Sequence, residues 1–395
     1  MTIGKYVVFL IIASLLLAGG HYYLWHRLAR RTRLTRRWRR VVAILLVLAA
    51  FLTPFGMLLP RIHETGTATW LVGTSLGWLG VLFYLVTILA VFDVLRFVSA
   101  LIGRVRRGRP DGVELQRRAF MARSVGGAAV LASGGIVGVG VTSALGPIET
   151  PHVPVRLERL PAALDNFKIA LLTDLHIGPF LRHDFTKRVV AYVESLRPDL
   201  VVITGDLVDA TVATAARDVA PLGDIKSRYG TYFVTGNHEY YVGAEPWLEA
   251  LRAMGIQPLM NERVAIGDQG PKGASFDLIG VPDYHAERFE ENHAPSVEKA
   301  VEGRDPDREL VMLAHQPVHI YDAAPHGVGL QLSGHTHGGQ IWPFGFMTRL
   351  AQPYLSGLHL HDESAQIYVS NGAGFWGPPM RVLAPPQIPL IVLTT

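Results

Sequence analysis

The sequence predicts four transmembrane helices followed by a mixed α/β sandwich, with two sheets packed together and helices outside. Three observations predict this. Hydrophobic residues make up 49% of the 395, and the excess lies in the first 150. Charge divides at the same place: residues 1–150 carry 18 Lys/Arg against 5 Asp/Glu, and residues 151–395 carry 19 against 28. Beyond residue 160, short β-rich runs alternate with helical spacing and then dominate. The net charge of +4 therefore averages two unlike halves. The basic half is also the apolar half, so a nucleic-acid partner is not expected. The chain has no cysteine, which excludes disulfides, thiolate metal sites and a thiol nucleophile.

The membrane half is read as residues 1–146. Four runs lack Asp, Glu, Lys and Arg: 6–24, 41–59, 70–92 and 125–145. Each is long enough to cross a ~30 Å hydrocarbon layer. Eight arginines lie between the first two runs, from Arg27 to Arg40, and eight between the last two, from Arg96 to Arg123. The opposite side holds Lys5 and Arg61. This asymmetry places both Arg-rich loops in the cytoplasm, and everything after residue 146 outside it. The expectation is a multi-pass cell-membrane protein with an extracytoplasmic catalytic domain, in contact with the lipid bilayer. Gln116-Arg117-Arg118-Ala119-Phe120-Met121 resembles a twin-arginine export signal before a glycine-rich apolar run. It lacks Ser/Thr before the arginines and Lys after Met121, and an ordinary positive-inside flank is the other reading.

Residues 147–161 hold four prolines and read as a linker, or an edge strand, leading into the domain at 162–395. There, 168–173 is a strand ending in Asp174-Leu175-His176, and 182–196 has helical spacing. Residues 200–204 form a strand ending in Gly205-Asp206, followed by Asp209; 213–227 reads as helix. Residues 231–235 form a strand ending in Gly236-Asn237-His238-Glu239, and 245–254 reads as helix. Strands at 276–281 and 310–314 follow, the second ending in His315-Gln316-Pro317, where Pro317 suits the start of a helix. The run 330–340, LQLSGHTHGGQ, is a strand entering a glycine-rich turn. If the backbone stays extended there, His335 and His337 point to one side. Residues 366–370 and 388–394 close the domain as strands.

Asp174, His176, Asp206, Asn237, His315, His335 and His337 thus lie at strand ends, where open α/β sheets place ligands. Two carboxylates, one amide oxygen and four imidazoles suffice for two borderline divalent cations with one bridging carboxylate. An acidic domain would repel a phosphate without such cations. The ligand set suits Mn, Fe, Zn or Co, two ions per chain.

These motifs (Asp174-Leu175-His176, Gly205-Asp206, Gly236-Asn237-His238-Glu239, His315 and Gly334-His335-Thr336-His337) resemble the calcineurin-like metallophosphoesterase superfamily. The GHTHGGQ turn and the tail Gly377-Pro378-Pro379-Met380-Arg381 with Pro385-Pro386 are similar to its membrane-associated branch. Gln387 departs from that branch, which more usually has an acidic residue there. The resemblance implies a four-layer α/β/β/α metallophosphoesterase sandwich that hydrolyses phosphomono- or phosphodiesters. It implies that Asp174, His176 and His337 hold one metal, that Asp206 bridges, and that Asn237, His315 and His335 complete the second. It gives His238 the catalytic task of stabilising the phosphate and protonating the leaving oxygen. Asp209 and Glu239 would orient histidines or waters. His183, His285, His293, His319, His326, His359 and His361 belong to no motif.

Trp342, Pro343, Phe344 and Phe346, with Phe375 and Trp376, lie beside the histidine turn. Packing beneath the loops is the expectation; an exposed rim would instead admit a lipid phosphoester. The competing class is a non-enzymatic metal-dependent sensor or binding module coupled to the spans.

Overall fold

The computed structural model describes residues 3–58, 66–102, 112–268 and 273–395. Side chains at 3–7, 9, 10, 56–58, 66–70 and 112–115 lie outside the described set. So do Leu59, Arg61, Arg104, Arg106, Arg107 and Arg109, on which parts of the span and charge reading fall. The chain forms two compact units, 1–142 with 377–380, and 143–376 with 381–395.

The first unit contains α1 (Ile3–Trp25), α2 (Arg36–Leu58), α3 (Gly66–Ile102) and α4 (Gly112–Ala144). Among the described residues, three helices are long and apolar enough to cross a membrane: Arg36–Phe55, Leu71–Ile102 and Gln116–Ala144. This corrects the expectation of four. The first expected span is helical as part of α1. The helices also overrun the expected spans, taking in Arg36 to Arg40, Asp93 and Arg96, and the pair Arg117-Arg118. Arginine is a good helix former, so helices continue past the apolar runs. Asp93 receives Tyr23 Oη at 2.9 Å and pairs with Arg27 and Arg31 at 3.2 Å. Leu24, Leu46, Leu82, Leu85 and Leu89 form the inner contact of the unit. Leu16, Phe51, Leu131 and Val139 stand exposed, as side chains facing lipid would.

The second unit holds two six-stranded mixed sheets. The first comprises β1 (His152–Arg156), β2 (Phe167–Leu172), β3 (Leu200–Ile203), β4 (Thr231–Phe233), β5 (Ile256–Pro258) and β12 (Leu390–Thr394), in the order β1-β12-β2-β3-β4-β5. The second comprises β6 (Glu262–Gly267), β7 (Ser275–Gly280), β8 (Leu310–Leu313), β9 (Leu330–Ser333), β10 (Gly357–Leu360) and β11 (Gln366–Val369), in the order β10-β11-β9-β8-β7-β6. Strands β2 to β5 run parallel, as do β7, β8, β9 and β11. Helices α5 (His183–Leu196), α6 (Val212–Val219), α7 (Asn237–Val242) and α8 (Ala244–Ala253) accompany the first sheet.

Alternation along each strand sorts side chains into different cores. Ile169, Leu171, Leu200 and Val202 share one cluster with Leu278, Val311, Leu313, Leu330 and Leu332 of the other sheet. Ala170, Leu172, Val201 and Ile203 instead pack with Val189, Val193, Trp247 and Leu251 of α5 and α8. Of the two readings of 147–161, a strand holds over His152–Arg156, paired in parallel with β12. Strands β5, β6 and β10 were not foreseen. The expected helix 213–227 stops at Val219 and continues as a 3-10 turn, Ala220–Asp224, at Pro221. Proline has no N–H to continue the helical ladder.

Candidate metal centre

The ends of β2, β3, β4, β8 and β9 converge, and all seven expected ligand residues lie there. Two donor groups form. Asp174, His176 and His337 make one; Asp206, His315 and His335 make the other. In the first, His176 Nε2 and His337 Nε2 are 3.1 Å apart, and Asp174 Oδ1 is 3.3 Å from His337 Nε2. In the second, His335 Nδ1 lies 3.2 Å and Asp206 Oδ2 3.1 Å from His315 Nε2. Asp206 Oδ2 is also 4.0 Å from His176 Nε2, so this carboxylate stands between the groups. Asn237 Oδ1 is buried without a hydrogen-bond partner among the described residues and shares a cavity with His335.

These positions are not extended backbone. Asp174, His176, Asp206, His335 and His337 have φ of 53°, 47°, 49°, 69° and 51°. Five of the seven candidate ligands therefore occupy the left-handed region, each at a cost of about 1 kcal/mol or more. This corrects the same-side argument for residues two apart: His335 and His337 face different donor groups. The loops are laced together in this conformation. Asp174 N–H donates to Gly205 O (3.0 Å), His176 N–H to Asp206 O (3.1 Å), and Gly334 N–H to His315 O (3.0 Å). His335 N–H reaches both oxygens of Asp174 at 3.1 Å. A Cβ on Gly334 would collide with Thr173 and Asp174, and one on Gly236 with Asp206. Only glycine permits these approaches.

A second ring of groups fixes the first. Asp209 Oδ1 accepts from His176 Nδ1 (2.9 Å) and His238 Nδ1 (2.6 Å). Burial disfavours its charge, but the two histidines outweigh burial and hold it well below the usual carboxylate range. An ionised Asp209 has no proton to give, so both rings donate and both turn Nε2 away from it. Thr204 O likewise accepts from His315 Nδ1 at 2.7 Å. Glu239 acts on the backbone. Its carboxylate accepts four backbone N–H groups, from Asp206, Leu207, Val208 and Gly236, and so clamps the loop that presents Asp206. Arg381, fully buried, donates to carbonyls of Gly374, Ala384 and Asn371 and lies 3.3 Å from His337 Nδ1.

The electrostatics suit cations. Burial opposes charge on His315, yet Asp206 and Asp174 draw a proton there and push it up to about 10. Burial depresses His335 to about 3 and takes His337 well down, which keeps both as neutral donors. Imidazole nitrogens within 3.2 Å of one another, beside carboxylates and an unpartnered amide oxygen, are the arrangement that a divalent cation would satisfy. The residues fit two such ions.

A cavity of about 320 Å³ opens beside the second group, with Tyr241, Tyr284, His285, Gln316 and Gln352 in its wall. These residues carry no motif in the sequence; the only signal was that Gln316 adjoins His315. The aromatics expected to pack beneath loops are mostly exposed: Trp342, Phe344, Phe346 and Trp376 stand out, and only Phe375 is buried. His293 lies elsewhere, with Glu245 and Glu290.

The calcineurin-like phosphoesterase family matches residues 167–339. A transmembrane protein with metallophosphoesterase domain from Danio rerio is 34% identical over 402 residues, covering 98% of this chain and 89% of the relative. An uncharacterized metallophosphoesterase of Campylobacter jejuni is 30% identical over 396 residues, 98% of each. Another, from Helicobacter pylori, is 44% identical over 238 residues, 60% of this chain and 61% of the relative. The aligned part thus spans about three fifths of the Helicobacter proteins' length.

Proposed function

The chain belongs to the calcineurin-like metallophosphoesterase family, and from that premise we propose that it is a membrane-anchored phosphoesterase with an extracytoplasmic catalytic domain at 162–395. The observation that carries the reading is Asp206, whose carboxylate lies between two histidine-carboxylate groups. The core clusters support reading its layers as α/β/β/α.

In this reading Asp174, His176 and His337 would hold one cation, and Asp206 stands between the two groups. Asn237, His315 and His335 complete the site for the other. Two divalent cations supply the positive charge that binds a phosphate and the Lewis acidity that activates water at neutral pH. The remaining work falls to the chain itself. Glu239 holds the Asp206 loop in place, and Asp209 fixes the tautomers of His176 and His238. His238 is catalytic. Its backbone N–H binds Asp206 Oδ1 at 2.8 Å, and its Nδ1 is occupied by Asp209. Burial works against its charge, but Asp206 and Asp209 raise it to about 9. With Nδ1 held by Asp209, Nε2 is the ring nitrogen placed to stabilise the phosphate and protonate the leaving oxygen.

The Arg-rich loops support the outward orientation. The exposed aromatics beside the site support a lipid phosphoester as substrate. The test uses the full chain and a soluble aryl phosphodiester. Chelation abolishes hydrolysis and Mn, Fe, Zn or Co restores it; Asp206→Ala and His335→Ala are inactive. Full activity after exhaustive metal removal overturns the proposal. Hydrolysis of phospholipids and lipid diphosphates, compared with soluble nucleotides, decides the substrate class.

A further inference from the structure

Between the histidine turn and the cavity wall, the chain makes one short excursion, 341–352, whose side chains are mostly apolar. Its helical turn Gly345–Thr348 buries no residue. Trp342, Phe344, Phe346, Met347 and Leu350 are all exposed, Phe346 by 67% and Leu350 by 79%. In water this is an unfavourable surface for so short a segment. A flexible loop would fold such side chains inward; this one is pinned at its base. Trp342 N–H donates to Val382 O (3.2 Å), and Val382 N–H to Gln340 O (2.7 Å). At the other end, Gln352 Nε2 donates to Gln316 Oε1 (2.9 Å), and Gln352 Oε1 accepts from Val318 N–H (3.2 Å). Gly339 and Gly345 pass so closely that a Cβ on Gly339 would lie 2.6 Å from Gly345 Cα. Exposed Trp376 is tied to Gln340 by two hydrogen bonds, and Leu383, 82% exposed, follows Val382. The result is one apolar rim held out from the domain.

We infer that 341–352 is a membrane-interface wedge: its apolar crown enters the outer region of a phospholipid bilayer and holds the cavity mouth against it. Three observations select a bilayer as the occupant. The same chain carries, among the described residues, three helices long and apolar enough to span one, and on the membrane-anchored reading these keep the domain at a membrane surface. The wedge combines Trp, Phe, Leu and Met, the side chains that bury at the headgroup boundary. Its only charged residue is Arg349, exposed and of the sign that favours anionic headgroups. The wedge also has a position that makes it useful. Ala351 and Gln352, at its end, line the cavity together with Asn237 and His335. A phosphoester whose hydrocarbon chain stays among the lipids would reach the donor groups along that wall. This delivery role rests on the phosphoesterase reading; the docking itself does not.

The chain has no cysteine, so a single Phe346→Cys takes one nitroxide label. The full protein is placed in nanodiscs of phosphatidylcholine and phosphatidylglycerol, with Glu363→Cys, on an exposed turn, as the solvent control. The expected result is a label at 346 shielded from a water-soluble nickel chelate and open to oxygen, and the reverse at 363. Equal nickel access at both positions overturns the docking. The double variant Phe346→Glu/Leu350→Glu is then assayed on two substrates. Hydrolysis of a long-chain alkyl aryl phosphodiester held in the bilayer falls at least about tenfold, while a soluble aryl phosphodiester is hydrolysed as before. An unchanged rate on the bilayer substrate overturns the delivery role. If the unsubstituted protein hydrolyses neither substrate, the phosphoesterase reading fails, and the label still decides the docking.

Discussion

The two donor groups are alike in composition and unlike in setting. The first, Asp174, His176 and His337, is closed from behind: Asp209 takes His176, Arg381 lies against His337, and Thr173 Oγ1 binds Asp174 at 2.8 Å. The second, Asp206, His315 and His335, faces a cavity, and Asn237 Oδ1 beside it has no partner. His238 stands on the side of the first, its ring centroid 4.6 Å from that of His176. The difference teaches a division of labour. On the proposed reading, the closed group would hold its ligands rigidly and position the acid, and the open group would meet a substrate.

The largest effect breaks both groups together. Asp206→Asn weakens the one carboxylate they share, and activity falls on the order of 10³-fold or more. Metal content, read by elemental analysis, drops for both ions at once. His337→Ala and His335→Ala then separate the groups, each losing one equivalent. Loss of a single equivalent in Asp206→Asn would show that the carboxylate serves one group only, and the comparison would collapse.

Next is the acid. His238→Gln keeps both donor groups whole, so two metal equivalents remain while kcat falls ~10²–10⁴-fold. The deficit shrinks for substrates with better leaving groups, because those need no proton. A uniform deficit across leaving groups would assign His238 to binding alone. Asp209→Asn acts on both histidines through their orientation. The expected loss is ~10–100-fold in metal affinity for the closed group, with a smaller fall in kcat than for His238→Gln. Unchanged affinity with depressed kcat would mean that Asp209 serves His238 only.

The sequence pointed to the residues that converge better than it pointed to how they are held. Asp174, His176, Asp206, Asn237, His315, His335 and His337 were legible because strand-end position and residue type are local properties. The left-handed backbone at five of them was not, because strain is maintained by hydrogen bonds between loops far apart in sequence, such as His335 N–H to Asp174. The four backbone N–H partners of Glu239 were not legible either, because they come from two loops brought together only by the fold. The strands β5, β6 and β10 were missed because all three lie at sheet edges and lack a continuous apolar run: Pro258 closes β5, Glu262 and Arg263 open β6, and β10 is GLHL. Trp342, Phe344 and Phe346 look like core in sequence, since exposed and buried aromatics have the same composition.

The smallest expected effect tests the open side alone. Tyr284 lines the cavity, partly exposed, its ring 5.1 Å from that of buried His319. It is a member of neither donor group, so Tyr284→Ala removes a wall of the pocket and leaves the donor sets in place. KM rises by roughly tenfold for substrates that fill the cavity, while kcat changes little, the signature of lost uniform binding. A minimal substrate such as an aryl phosphate is less affected, because it leaves the wall uncovered. If kcat falls instead and KM holds, the cavity wall is positioning the reacting groups. The open group would then share the positioning task of the closed one, and the division of labour between them would dissolve.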